Sequence, residues 1–140
     1  GIVNATLWEM IAMVRKIEIV TEATGRVIGE IDERKNPETG QAIWDGLPIE
    51  AKANRWGEEI YFEIPVKIRE ENSQQDVEIG DLAYWPPGSA FCIFFGRTPV
   101  SKGDKPRAYS PVNVFGRILG DAKVFKKVRD GDPIGIDRFR

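Results

Sequence analysis

Gly80 to Gly96 reads GDLAYWPPGSAFCIFFG. Two short apolar runs flank Pro86-Pro87-Gly88, and such runs bounded by turn residues mark strands covered on both faces. The side-chain period of two divides their aromatics. Tyr84 and Trp85 point to opposite faces, so one fills a core and the other covers the outside or lines a groove with Pro86. Phe91, Ile93 and Phe95 share one face, and Cys92 and Phe94 share the other. The remaining segments are read as packing around this hairpin.

On the N-terminal side, Val14–Val20 alternates Ile17 and Ile19 with Lys16 and Glu18, the pattern of a half-buried strand. Thr24-Gly25 turns the chain into a second strand, Val27–Ile31. Asn36-Pro37-Glu38-Thr39 starts a helix, with Asn36 as cap, Pro37 at the first position and Glu38 at the positive end of the dipole. Ala42, Ile43 and Leu47 give it one apolar face with Trp44 beside it, and Gly46 and Pro48 end it. Ile49–Asn54 reads as a strand broken by a turn at Arg55-Trp56-Gly57-Glu58. Glu59–Ile68 is a strand whose Pro65 requires an edge or a bulge. Arg69–Asp76 is a polar loop.

Beyond the hairpin, Arg97–Ser110 reads as a long loop, and loops of that length in small domains are functional or mobile. Asn113–Leu119 is a strand in which Gly116 marks a bulge or a close backbone approach. Asp121 caps a short helix to Val128, and Ile134–Phe139 is the last strand. About eight short strands with Gly/Pro turns argue for a barrel or sandwich, and closure would remove bare sheet edges.

The chain has 140 residues, with 41% apolar and 30% charged, which suits one soluble domain with a single core. Residues 1–12 read as a leader or appended extension, or as a short helix docking through Leu7, Trp8 and Ile11. Residues 13–140 form the domain, with Met13 as a natural start. The sequon Asn4-Ala5-Thr6 is taken as chance. With 20 basic and 22 acidic residues and no basic block, a nucleic-acid partner is not expected. No apolar run reaches the roughly 18 residues of a membrane helix. Cys92 is the only cysteine, so no intrachain disulfide forms, and a reducing, cytoplasmic setting fits. There is no histidine, which removes the commonest general base and metal ligand. Neither a cofactor nor a metal is implied.

Four segments carry a resemblance: NPETGQAIWDGLP, NRWGEEIYFEIPV, GDLAYWPPGSAFCIFFGRTP and VNVFGRI, in that order. Together they resemble the cyclophilin-like family of small prokaryotic proteins without an assigned function, over nearly everything from Met13 to the C-terminus. The resemblance implies a mainly β fold: a closed eight-stranded cyclophilin-like barrel with a short helix at each end. True cyclophilins are peptidyl-prolyl isomerases. Asn113-Val114-Phe115-Gly116-Arg117 is similar to their strand motif, and Val112 stands where that motif has its cleft histidine. Tyr61-Phe62-Glu63-Ile64-Pro65 matches the strand bearing their catalytic arginine, and that position falls at or near Glu63. Cys92 or Phe94 occupies a further cleft position. The Arg97–Ser110 loop carries no tryptophan where cyclophilins have one.

These replacements bear on chemistry. Prolyl isomerisation faces a barrier of about 20 kcal/mol. A cationic donor near the prolyl nitrogen lowers it, and losing one such donor costs about 2.7–4 kcal/mol. Arg55 is a candidate replacement. The segment Arg55–Glu58 has two readings. It is a tryptophan lid with Arg55 and Glu58 as a solvated pair, or Arg55, Trp56 and Tyr61 form a cleft gripping a carboxylate or an amide. Cys92 lacks a histidine partner and is read as structural. Glu59 and Glu63 alternate with apolar residues and are read as a solvated strand face.

The resulting expectation is a non-catalytic module that binds a peptide or a small carboxylate. Its cleft would use Arg55, Trp56, Glu58, Tyr61, Glu63, Trp85, Cys92, Phe94 and Asn113, with no catalytic residue. The alternatives are a weak peptidyl-prolyl isomerase working through Arg55, and a protein-interaction subunit or a component of an amide-related enzyme.

Overall fold

The structure is a computed structural model and describes residues 6–12 and 14–140. A short helix α1, Leu7–Ala12, precedes ten strands: β1 Val14–Thr21, β2 Gly25–Asp32, β3 Ile49–Lys52, β4 Asn54–Trp56, β5 Glu59–Glu63, β6 Gln74–Asp76, β7 Asp81–Trp85, β8 Ala90–Phe94, β9 Arg107–Ile118 and β10 Pro133–Arg138. Helix α2, Pro37–Asp45, lies between β2 and β3, and short 3-10 segments occupy Pro86–Gly88 and Ala122–Lys127. The fold is mainly β, as expected. The expectations for Asn4, Met13 and the side chain of Ile11 fall outside the described residues. Leu7 and Trp8 sit on α1, but they are exposed rather than docked.

All ladders are antiparallel, and the strands follow the order β3-β10-β1-β2-β9-β7-β8-β5-β4, with β6 added to β9 off this path. The path has two ends instead of forming the expected closed ring, and it has more strands than the eight anticipated. Its ends are nevertheless covalent neighbours, since only Ala53 separates β3 from β4. A flat sheet would hold those strands roughly 38 Å apart at about 4.8 Å per step. One intervening residue spans at most about 7.6 Å. The sheet therefore curls on itself, with its seam at β3 and β4. At the seam the Ala53 N–H donates to the Asp132 carbonyl (2.8 Å), and the Ala53 carbonyl accepts from the Gly131 N–H (2.7 Å). Extended backbone continues to Trp56, so Arg55 and Trp56 belong to a strand and not to the expected turn.

The opening hairpin behaves as its alternation dictates. Tyr84, Phe91, Ile93 and Phe95 enter the main core with Ile17, Ile19, Ile60, Phe62 and Phe115. Helix α2 adds Ile43, and the 122–127 segment adds Ala122 and Phe125. The opposite face carries a second cluster of Val77, Ala83, Ala90, Cys92, Phe94, Ala108 and Val112. Every residue of β8 is consequently buried. The cover of this outer face comes from two regions expected to be loops. Gln74–Asp76 is strand β6, and β9 starts at Arg107, well inside the expected Arg97–Ser110 loop.

Strand β5 ends at Glu63, so Pro65 lies beyond it and no ladder bond is lost. The Tyr84 hydroxyl instead ties the following segment down, donating to the Val66 carbonyl (2.7 Å) and accepting from the Ile68 N–H (3.2 Å).

Helix α2 begins where expected, but Asn36 makes no side-chain cap. Its amide donates to the Val114 carbonyl (2.7 Å), and its oxygen accepts from the Asn72 N–H (2.7 Å). Glu71 caps the helix from the 69–73 segment by accepting from the Glu38 and Thr39 N–H groups (3.1 Å each) and from the Thr39 hydroxyl (2.9 Å). A carboxylate there meets the positive end of the helix dipole.

Candidate functional site

A cavity of about 340 Å³ opens on the outer face of the sheet. Its lining comprises Trp56 from β4, Glu59 and Tyr61 from β5, Trp85 from β7, and Ala108, Tyr109 and Val112 from β9. Register explains the convergence. Tyr61 pairs with Cys92, Cys92 with Ala83, and Trp85 with Ala90, so these side chains share one face across three strands. β9 joins through its pairing with β7.

The walls are aromatic. Tyr109 stands edge-to-face against Trp56 (centroids 6.1 Å, interplanar 76°) and against Trp85 (6.2 Å, 89°), linking the two indoles. Its own side chain is largely exposed. Trp85 is fixed by its indole N–H, which donates to the Ser110 hydroxyl (2.7 Å). Cys92 and Phe94 do not line the cavity. They belong to the buried cluster packed against Tyr61 and Trp85.

Glu59 is the one ionisable carboxyl in this lining, and it is 6% exposed. The expectation of a solvated strand face fails for it because β5 is covered on both sides. Removal from water raises its pKa to about 7, and the neighbouring Cys92 thiol opposes that rise only partly. Burial, followed by the adjacent Glu59, pushes the Cys92 thiol well above its usual range, which keeps it a poor nucleophile. Among the described residues, Glu59 forms no ion pair.

Strand alternation separates Arg55 from Trp56. The Arg55 guanidinium lies over the Phe95 ring (4.9 Å) and donates to the carbonyls of Gly57 (2.7 Å), Val128 (2.9 Å) and Lys126 (3.2 Å). It rivets the 122–128 segment to the sheet and does not contribute to the cavity. Glu58 pairs with Lys126 (3.4 Å), so the solvated pair expected with Arg55 has a different cation. Glu63 is exposed at the end of β5, outside the lining. Asn113 is fully buried, opposite Tyr84. Its oxygen accepts from the Glu71 N–H (3.0 Å), and its amide donates to the Thr39 hydroxyl (3.1 Å) and the Arg69 carbonyl (3.0 Å). It is a structural hub for the capped start of α2.

Trp56, Tyr61 and Trp85 are thus the expected site residues that the fold brings together. Glu59, Ala108 and Tyr109 were missed. Tyr61 carried the signal for Glu59, because positions two apart on a strand share a face. Nothing in the Arg97–Ser110 composition marked Tyr109 as a strand residue. Val112, which matches the cleft-histidine position by resemblance, does line the cavity.

The cyclophilin-like family model matches residues 15–137. The chain is also similar to the solution structure of the hypothetical protein AF2241 from Archaeoglobus fulgidus. Identity is 46%, 91% of this chain and 96% of that chain are covered, and the TM-score is 0.77. None of the curated proteins matches it. With the family match spanning the sheet and the outer-face cavity alike, the chain belongs to the cyclophilin-like family.

Proposed function

We propose that the protein is a binding module that takes a peptide side chain or a small organic molecule into the outer-face cavity. The observation that carries this reading is the lining itself: four aromatic rings converge on about 340 Å³ of concave space with a single buried carboxyl. That volume lies at the small end of ligand pockets, which are mostly apolar with a few placed polar groups. Tryptophan and tyrosine walls give large contact area at little entropic cost.

The acidic-ligand form of the expectation loses its support, since Arg55 is engaged elsewhere and no arginine or lysine lines the cavity. The same absence weighs against prolyl isomerisation, which needs a cationic donor beside the prolyl nitrogen. Glu59 can hold a proton near neutral pH, but the lining offers it no nucleophile to activate.

Nitrogen–proton NMR titration tests the reading with proline-containing peptides and small organic ligands. Binding moves the indole N–H resonances of Trp56 and Trp85 and the Tyr61 amide together. Shifts that avoid all three residues reject it.

A further inference from the structure

The cavity combines two features that a neutral ligand leaves unused. Aromatic rings surround it, and its one carboxyl, Glu59, is buried without a cation to pair with among the described residues. Ring faces are negative and attract cations, more strongly where water is excluded. A buried carboxylate gains most from an opposite charge within contact distance.

Resting on the binding reading above, we infer that the ligand is an alkylated ammonium, its methyl or methylene groups against Trp56, Trp85 and Tyr109 and its charge facing Glu59. The cavity selects among cations. A primary ammonium brings three donors and a guanidinium five, and each needs a partner in a lining whose side-chain acceptors are the Glu59 carboxyl and two tyrosine hydroxyls. A tertiary or quaternary nitrogen carries the same charge with one donor or none, and it spreads that charge over carbon. Carboxylates are disfavoured, because Glu59 repels them and no arginine or lysine in the lining compensates. Burial lifts the Glu59 carboxyl to about 7, and a bound cation would draw it back toward its ionised form.

The test compares three probes of one shape by NMR and calorimetry: choline, its uncharged isostere neohexanol, and the anion tert-butylacetate. Choline is expected to move the Trp56 and Trp85 indole resonances and to bind at least about ten-fold more tightly than neohexanol, with tert-butylacetate weakest. Glu59→Gln keeps the shape of the site and should cut choline's advantage over neohexanol several-fold, down to the part the rings supply, while leaving neohexanol unchanged. Tyr109→Ala alters an exposed side chain, so folding is not at stake, and it should weaken choline several-fold. A peptide carrying trimethyl-lysine, set against its unmodified counterpart, separates a protein-borne cation from a free one, according to which of peptide and choline binds more tightly. The inference is overturned if neohexanol or tert-butylacetate binds in the cavity as well as choline does. It is equally overturned if choline's advantage is undiminished in Glu59→Gln. Either result leaves the binding module standing, whereas no shift at Trp56, Tyr61 or Trp85 with any probe or peptide removes both readings.

Discussion

Glu59 is the residue at which stability and site chemistry meet. Its carboxyl titrates near 7 in the fold, against an ordinary value of 4.5, because burial disfavours the charged form. The folded chain therefore holds this proton more tightly than the unfolded one. Stability falls as pH rises from 4.5 through about 7 and levels off above that, by an amount on the order of 3 kcal/mol from this group. Glu59→Gln should remove that slope and leave the variant more stable than the parent at about pH 8, read from urea midpoints across the range. A parent whose stability rises with pH through this window, relative to the variant, would contradict the assignment. Arg55 makes the opposite kind of contribution. It holds three carbonyls and stacks on Phe95, so Arg55→Ala should cost about 1–2 kcal/mol of folding stability while leaving cavity ligands bound with unchanged affinity. A loss of ligand affinity without a loss of stability would return Arg55 to the site.

At the scale of elements, two junctions position the strands that carry the cavity. β2 and β9 approach so closely at Gly116 that an added Cβ would lie 2.1 Å from the Glu30 carbonyl oxygen and 3.2 Å from the Ile31 Cα. Backbone cannot yield as a flexible side chain does. Gly116→Ala should therefore cost about 3 kcal/mol or more and expose the Gly29–Ile31 ladder to hydrogen exchange. Exchange there at the parental rate would show that the sheet absorbs the methyl. The start of α2 depends on Glu71, which satisfies two of the orphan N–H groups of a helix too short to persist alone. Glu71→Ala should lower stability by about 1–2 kcal/mol, measured by chemical denaturation, and a neutral result would mean that water caps the helix equally well.

For the whole molecule, the central hairpin bears a core on each face. Tyr84, Phe91 and Ile93 face the main core, and Ala83, Cys92 and Phe94 face the second cluster beneath the cavity. Both cores hang on the same backbone, so they should open together. Cys92 reports on this, being buried with its thiol kept protonated. Its labelling by a thiol reagent should stay slow in native buffer and accelerate with urea along the global unfolding transition. Labelling that ignores urea would reveal an independent opening of the cavity floor.

What the sequence determined by itself was local and periodic. Alternation assigned Tyr84, Phe91, Ile93 and Phe95 to one face and Cys92 and Phe94 to the other. Pro37 and the turn residues placed α2 and the β1–β2 hairpin, although the cap of α2 comes from Glu71 and not from Asn36, and Gly116 marked a close approach of backbones. These features lie within one element or its immediate turn, where sterics and side-chain direction are fixed by neighbouring residues. Tertiary structure decided which outward-facing residues stay covered. Glu59 and Glu63 occupy equivalent positions on one strand, yet the former lies under Trp56 and the β9 residues while the latter faces solvent. Arg55 and Trp56 are adjacent, yet only Trp56 reaches the cavity. Those outcomes depend on β9 crossing from far along the chain, on the seam at Ala53, and on long-range bonds such as those joining Asn113 to Thr39, Arg69 and Glu71. No pattern within a short window encodes a contact between residues dozens of positions apart, because only the folded sheet brings their backbones together.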